Sequence, residues 1–186
     1  MLKRIAKRLL RRSQAHATPV APRVEPPVVS PPAPEPAPQH CKMAGLSEIQ
    51  ALVRAPGRVR VVCHWATWCS GCIEELPVLV ALHERLAGQA EFIGISWDAF
   101  QGNPGERELL RQVDACIKSH GMQWDSVVVD AEPDTFFSAL DMSCHTVPQL
   151  WLVAADGQVI HEESQVLTMA DLDGITERVL QTPRTA

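Results

Sequence analysis

The 186-residue sequence predicts an α/β protein with a mixed central sheet flanked by helices. Four apolar, β-branched runs alternate with segments of helical periodicity, which implies parallel crossovers. Those runs are apolar at successive positions rather than at alternate ones, so the sheet is covered on both faces. A last strand follows the turn Asp156-Gly157, and this hairpin adds antiparallel pairing at one edge.

The elements follow in order. Near Leu46, Ser47 and Gln50 have capping-box spacing ahead of Ile49, Leu52 and Val53, and Gly57 closes a short helix. Residues 58–65 (RVRVVCHW) read as a buried central strand. From Ser70 to Leu86 the positions Ile73, Leu76, Leu79, Val80, Leu82 and Leu86 keep a helical period, with a kink predicted at Pro77 and a stop at Gly88. Residues 91–97 form a second strand and 98–105 a polar loop. A helix over 106–119 ends at Gly121, residues 126–130 make a third strand, and 134–140 a short helix. Val147-Pro148 leads into a fourth strand at 149–153, paired through the hairpin with 158–161. Thr168 and Asp171 open the last helix, which carries Leu172, Ile175, Val179 and Leu180. The helix at 106–119 is thus an insertion between the second and third predicted strands.

Ahead of this domain, placed at 45–186, the chain changes character. Nine of its 15 prolines fall between Pro19 and Pro38, so residues 13–44 are expected to be an extended linker. Residues 1–24 hold seven Lys/Arg and no acid, which leaves −12 of the total charge of −5 on the remainder. Within 1–12, Leu2, Ile5 and Leu9 share one edge of a basic amphipathic helix. Basic residues interrupt it too often for a secretory signal or a membrane span. It fits a membrane-surface helix, an organellar transit peptide or a solvated tail, so the location expected is cytoplasmic or peripheral to a membrane, with organellar targeting the alternative.

The chemistry is carried by Trp68-Cys69-Ser70-Gly71-Cys72, after a strand and at the start of a helix. Thiol–disulfide exchange needs an accessible, stabilised thiolate and a second thiol close enough to resolve a mixed disulfide. At the first turn, backbone N–H groups and the helix dipole stabilise the thiolate of Cys69, while Cys72 lies one turn in and more buried. Cys69 is therefore the expected nucleophile and Cys72 the resolving thiol. Zinc would need two further ligands, and the only candidates, Cys144-His145, are adjacent and chelate one tetrahedral ion poorly, so no metal or cofactor is assigned. Cys63, Cys116 and Cys144 are expected to be buried thiols packed as small hydrophobes, with Cys41 exposed at the end of the linker. Trp65, Trp97 and Trp151 read as core, Trp68 as a cover over the dithiol, and His64 as a strand residue.

WATWCSGC, the helix with Glu75-Leu76-Pro77, and TVPQLWLVAADGQVI resemble the thioredoxin superfamily, and within it the TlpA-like reductases. The likeness spans about 46–181. It implies a thioredoxin-like fold, a cis Pro148 against the dithiol and backbone pairing of Val147 with substrate, so Trp68, Val147 and Pro148 are the substrate-binding candidates. The insertion at 106–119 resembles that subgroup's extra helix. Thioredoxins proper carry a buried Asp where this chain has Cys63, whereas TlpA-like members carry a Glu matched by Glu75, which is the candidate for tuning or proton transfer near Cys72. The alternative for Glu75 is a solvated acid favoured by the helix dipole. Ser70-Gly71 replaces the usual proline-containing dipeptide, and Gln149 stands where Thr is common. His145 either borders the dithiol or lies on the surface, and the surface is the expectation.

The resulting expectation is an oxidoreductase that reduces or exchanges disulfides of protein substrates, fed by an unidentified electron donor, with membrane contact through 1–12 and no nucleic-acid partner. A thiol peroxidase is the rival enzyme, though Ala66 occupies the place of the Thr its site commonly uses. A metal-binding module using Cys69 and Cys72 is the non-enzymatic rival.

Overall fold

In a computed structural model that describes residues 39–183 apart from Asn103, six strands form one sheet in the order β1-β4-β3-β2-β5-β6. The strands are β1 (Cys41–Gly45), β2 (Arg60–Trp65), β3 (Glu91–Ser96), β4 (Ser126–Asp130), β5 (Gln149–Val153) and β6 (Val159–Glu163). The helices are α1 (Leu46–Arg54), α2 (Ser70–Arg85), α3 (Glu106–Ser119), α4 (Pro133–Ala139) and α5 (Leu172–Gln181), with a 3₁₀ turn at Asp98–Gln101. β1, β4, β3 and β2 run parallel, while β5 is antiparallel to both β2 and β6. The mixed sheet is as predicted. The basic helix at 1–12 and residues 13–38 of the linker lie outside the described residues.

β2 is buried at every position, as its unbroken apolar run requires of a central strand. Val61, Cys63 and Trp65 face a core filled by Leu76, Leu79 and Leu82 of α2, Leu109, Val113 and Ile117 of α3, and Ile175 and Val179 of α5. Val62 faces the opposite core, where α1 contributes Ile49 and Val53 and α4 contributes Phe136 and Phe137. Helices therefore cover both faces. Among the described residues no helix is long and apolar enough to cross a membrane.

Two local expectations are corrected. Residues 41–44, read as the end of the linker, belong to edge strand β1, which pairs with β4 from Cys41↔Ser126 to Gly45↔Asp130. Only Ala44 of β1 is buried, so no apolar run marks the strand in the sequence. Asp114 of α3 holds its entry, accepting backbone N–H bonds from Gln39 and His40 at 3.0 Å each. Because β1 runs directly into α1, the N-cap is Gly45 without a side-chain bond, and the Ser47 capping box does not form. Gln50 instead donates to the carbonyl of Ala139, tying α1 to the end of α4.

Elsewhere the punctuation holds. α2 runs on through an exposed Pro77. At the β5–β6 turn, Gly157 has φ +87°, and a Cβ there would lie 2.4 Å from the carbonyl oxygen of Arg54, so only glycine fits.

Candidate active site

The chain leaves β2 at Trp65 and enters α2 at Ser70 through a tight turn closed by the Cys69 N–H on the Ala66 carbonyl, at 3.2 Å. Cys69 is the N-cap of α2, and its sulfur accepts a hydrogen bond from the Cys72 N–H at 3.1 Å. A sulfur at this position takes up one of the orphan N–H donors of the first turn, the interaction that favours a thiolate. Cys69 and Cys72 are joined by a disulfide, with Cα atoms 5.2 Å apart. Cys69 is half-buried and Cys72 fully buried, the asymmetry expected of an attacking and a resolving sulfur.

Two other segments close on this turn. The Val147–Pro148 peptide is cis, and Pro148 lies against Gly71, where a Cβ would meet Pro148 Cδ at 3.6 Å. The same Cβ would come within 2.9 Å of a methyl group of Val166, in the loop after β6. Glycine between the two cysteines therefore lets the proline and the 164–171 loop approach the dithiol. Val147 and Cys69 each pack at the margin of both cores, and Trp68, next in the chain to Cys69, is 41% exposed.

Glu75 lies one turn further into α2, buried, with its carboxylate accepting the Leu167 N–H at 3.1 Å. Burial pushes its pKa up to about 7, helped by repulsion from Glu163 and opposed by the Leu167 bond. The alternative of a solvated surface acid is thereby corrected. Burial and the charge of Glu75 push the Cys63 thiol well above its ordinary range. Cys63 and Cys72 share the α2-side core, so Cys72 lies on the same dry side of the sheet as the thiol on which the Glu75 charge acts.

The chain is similar in structure to a thiol:disulfide interchange protein of the thioredoxin family from Chlorobium tepidum TLS, with 24% identity, a TM-score of 0.53, and coverage of 70% of this chain and 84% of that one. It is also similar to the thioredoxin domain of a thiol-disulfide oxidoreductase from Bacteroides vulgatus, at 20% identity, TM-score 0.51, and 67% and 81% coverage. A thiol:disulfide interchange protein from Bacteroides sp. matches at 17% identity, TM-score 0.51, and 66% and 74% coverage. The fold is thioredoxin-like. No protein-family model matches the sequence, and no curated protein matches it.

Within this thioredoxin-like fold, Trp68, Cys69, Cys72, Val147 and Pro148 gather around one turn, with Glu75 beneath it. His145 is exposed, with its ring stacked on Phe137 at 4.3 Å. His64 is a buried strand residue whose Nδ1 accepts from the Trp97 indole at 3.2 Å, and burial lowers its pKa to about 3. Cys116 and Cys144 are half-buried rather than buried, so of the three domain thiols read as core only Cys63 is one. Cys41 is also half-buried and donates to the Leu110 carbonyl, because β1 lies under α3.

Three site residues escaped the sequence reading. Val166 and Leu167 sit in a loop with no apolar period, and only the fold brings them to Gly71 and Glu75. Asp98, read as loop, is buried directly behind the turn that carries the dithiol, accepting from the Thr67 N–H at 3.1 Å and from the Thr67 hydroxyl. Its position just after a strand was the only sequence signal.

Proposed function

We propose that this chain is a thiol-disulfide oxidoreductase that reduces or exchanges disulfides in protein substrates. The observation that carries the reading is the disulfide at the N-terminus of α2 with cis Pro148 packed against the glycine between its two cysteines. The resemblance to TlpA-like reductases and the structural similarity to thiol:disulfide interchange proteins support it.

In the reduced protein, the Cys69 thiolate attacks one sulfur of a substrate disulfide. The substrate's other sulfur leaves as a thiolate and takes a proton from solvent. A mixed disulfide now joins Cys69 to substrate. Cys72 gives its proton to the Glu75 carboxylate and attacks the Cys69 sulfur, which expels the second substrate thiolate and forms the Cys69–Cys72 disulfide. Two electrons pass to the substrate, and a dithiol donor returns the protein to its reduced form. A pKa near 7 suits Glu75 to both accepting and releasing that proton at neutral pH. The exposed face of Trp68 and the Val147 backbone hold the substrate chain over the sulfurs.

The test is reduction of insulin disulfides with dithiothreitol as donor. The full chain accelerates it, and the Cys69→Ser and Cys72→Ser variants do not. A full chain that matches the uncatalysed rate would contradict the reading.

A further inference from the structure

Asp98 follows β3, and its carboxylate is buried, 6% exposed. Oδ1 accepts from the backbone N–H of Thr67 at 3.1 Å and from the Thr67 hydroxyl. Oδ2 accepts from the same N–H at 3.2 Å and from the Ser96 hydroxyl at 2.7 Å, while the Asp98 N–H returns a bond to that hydroxyl at 3.3 Å. Among the described residues no cation pairs with it. Among the described residues the hydrogen bonds that reach its oxygens come from Thr67 and Ser96, and Thr67 lies inside the turn that runs from Ala66 to Cys69. A further bond, from the Trp97 N–H to the Trp65 carbonyl at 2.9 Å, fixes the strand end on which the clamp sits. Hydrogen bonds to an ionised acceptor are stronger than neutral ones, and a two-point hold on one residue restricts rotation of the turn.

We propose that Asp98 is a positioning residue for the dithiol. By holding both donors of Thr67, it sets the path of the turn that presents Cys69 at the N-terminus of α2 and turns Trp68 outward beside it. This rests on the proposed exchange reaction, in which three sulfurs must come into line, a geometry that a small displacement of Cys69 spoils. The role is distinct from that of Glu75. Asp98 touches neither sulfur and moves no proton; it acts through Thr67.

Steady-state reduction of insulin disulfides, with melting temperatures measured alongside, tests this in the full chain. Asp98→Ala removes the clamp and is expected to lower kcat about tenfold with KM within about twofold. Asp98→Asn keeps an oxygen for Thr67 and an amide for Ser96, and is expected to restore kcat to within about threefold of the parent, at the same loss of charge. Thr67→Val keeps the backbone bond and loses the hydroxyl bond, for an expected loss of about fivefold. A role in stability alone would lower the melting temperature and leave kcat of the folded protein unchanged, which overturns the proposal. Equal losses in Asp98→Ala and Asp98→Asn would overturn it too, because charge and not the clamp would then be at work. If Asp98→Ala does not fold, Thr67→Val decides: a lowered kcat supports the clamp, and parental kcat overturns it. A parent chain without turnover overturns both this inference and the proposed function, whereas parental turnover with an equally fast, folded Asp98→Ala overturns this one alone.

Discussion

Glu75 accepts a hydrogen bond at 3.1 Å from the backbone N–H of Leu167, 92 positions away in the chain. One carboxylate thereby serves two segments: it stands on the helix of Cys72, and it holds the loop whose Val166 methyl closes on Gly71. Its burial costs free energy whenever it is ionised, which is why its pKa is raised.

That cost has a sign. The folded pKa, about 7, stands above the ordinary 4.5, so the native state binds the proton more tightly than the unfolded chain. Stability from this group is present below the unfolded pKa and is lost as pH rises through the folded one. Glu75→Gln removes the titration, so between about pH 4 and about pH 8 the variant should lose roughly 1–3 kcal/mol less stability than the parent. Urea unfolding of the oxidised proteins at the two pH values measures it. Over the same range the parent's rate of disulfide reduction should follow the titration and the variant's should not, with Glu74→Gln, an exposed neighbour, behaving as the parent. Identical stability slopes in parent and Glu75→Gln would mean that the carboxylate is solvated.

Gly71→Ala separates the docking face from the fold. The added methyl meets an exposed valine side chain at 2.9 Å, which can move, and Pro148 at 3.6 Å, an ordinary contact. Alanine is also the better helix former by about 1 kcal/mol. Melting should therefore change by no more than about 1 kcal/mol, while KM for a protein disulfide rises about threefold as Val166 is displaced. An unchanged KM for the protein substrate would show that the position of Val166 does not affect docking.

The basic segment at 1–12 should bind anionic vesicles through its charge and its Leu2/Ile5/Leu9 edge. Co-sedimentation with phosphatidylserine-containing vesicles measures it. Equal binding by the full chain and by a chain starting at Cys41 would show that the segment contributes nothing.

Much of this protein is legible in its sequence because local signals and burial agree. β2 and β5 carry continuous apolar runs, α2 and α3 keep their period, and glycines stand at the turns. β1 is not legible, since an edge strand with Lys42 outward and one buried alanine has no apolar signature. The Ser47 capping box does not form because a helix start depends on how the preceding segment pairs, and β1 leaves no signal in the sequence. The dithiol, Trp68 and Val147-Pro148 are visible as motifs. Glu75 was visible as a residue and not as a buried one, because its burial comes from the distant loop over Leu167. Asp98 and Val166 act only through contacts across the fold, and no spacing in the chain encodes them.

Cys69, half-buried at the helix start, and Cys72, fully buried one turn in, are expected to divide the exchange between attack and resolution. The most direct measurement is trapping: each cysteine is changed to serine, the reduced variants are mixed with a protein disulfide, and covalent adducts are read by non-reducing electrophoresis. Cys72→Ser should accumulate a mixed disulfide through Cys69 that dissolves in excess dithiothreitol, and Cys69→Ser should accumulate little or none. Equal trapping by the two variants, or full turnover retained by either through Cys63 or Cys144, would mean that Cys69 and Cys72 do not act as attacking and resolving thiols.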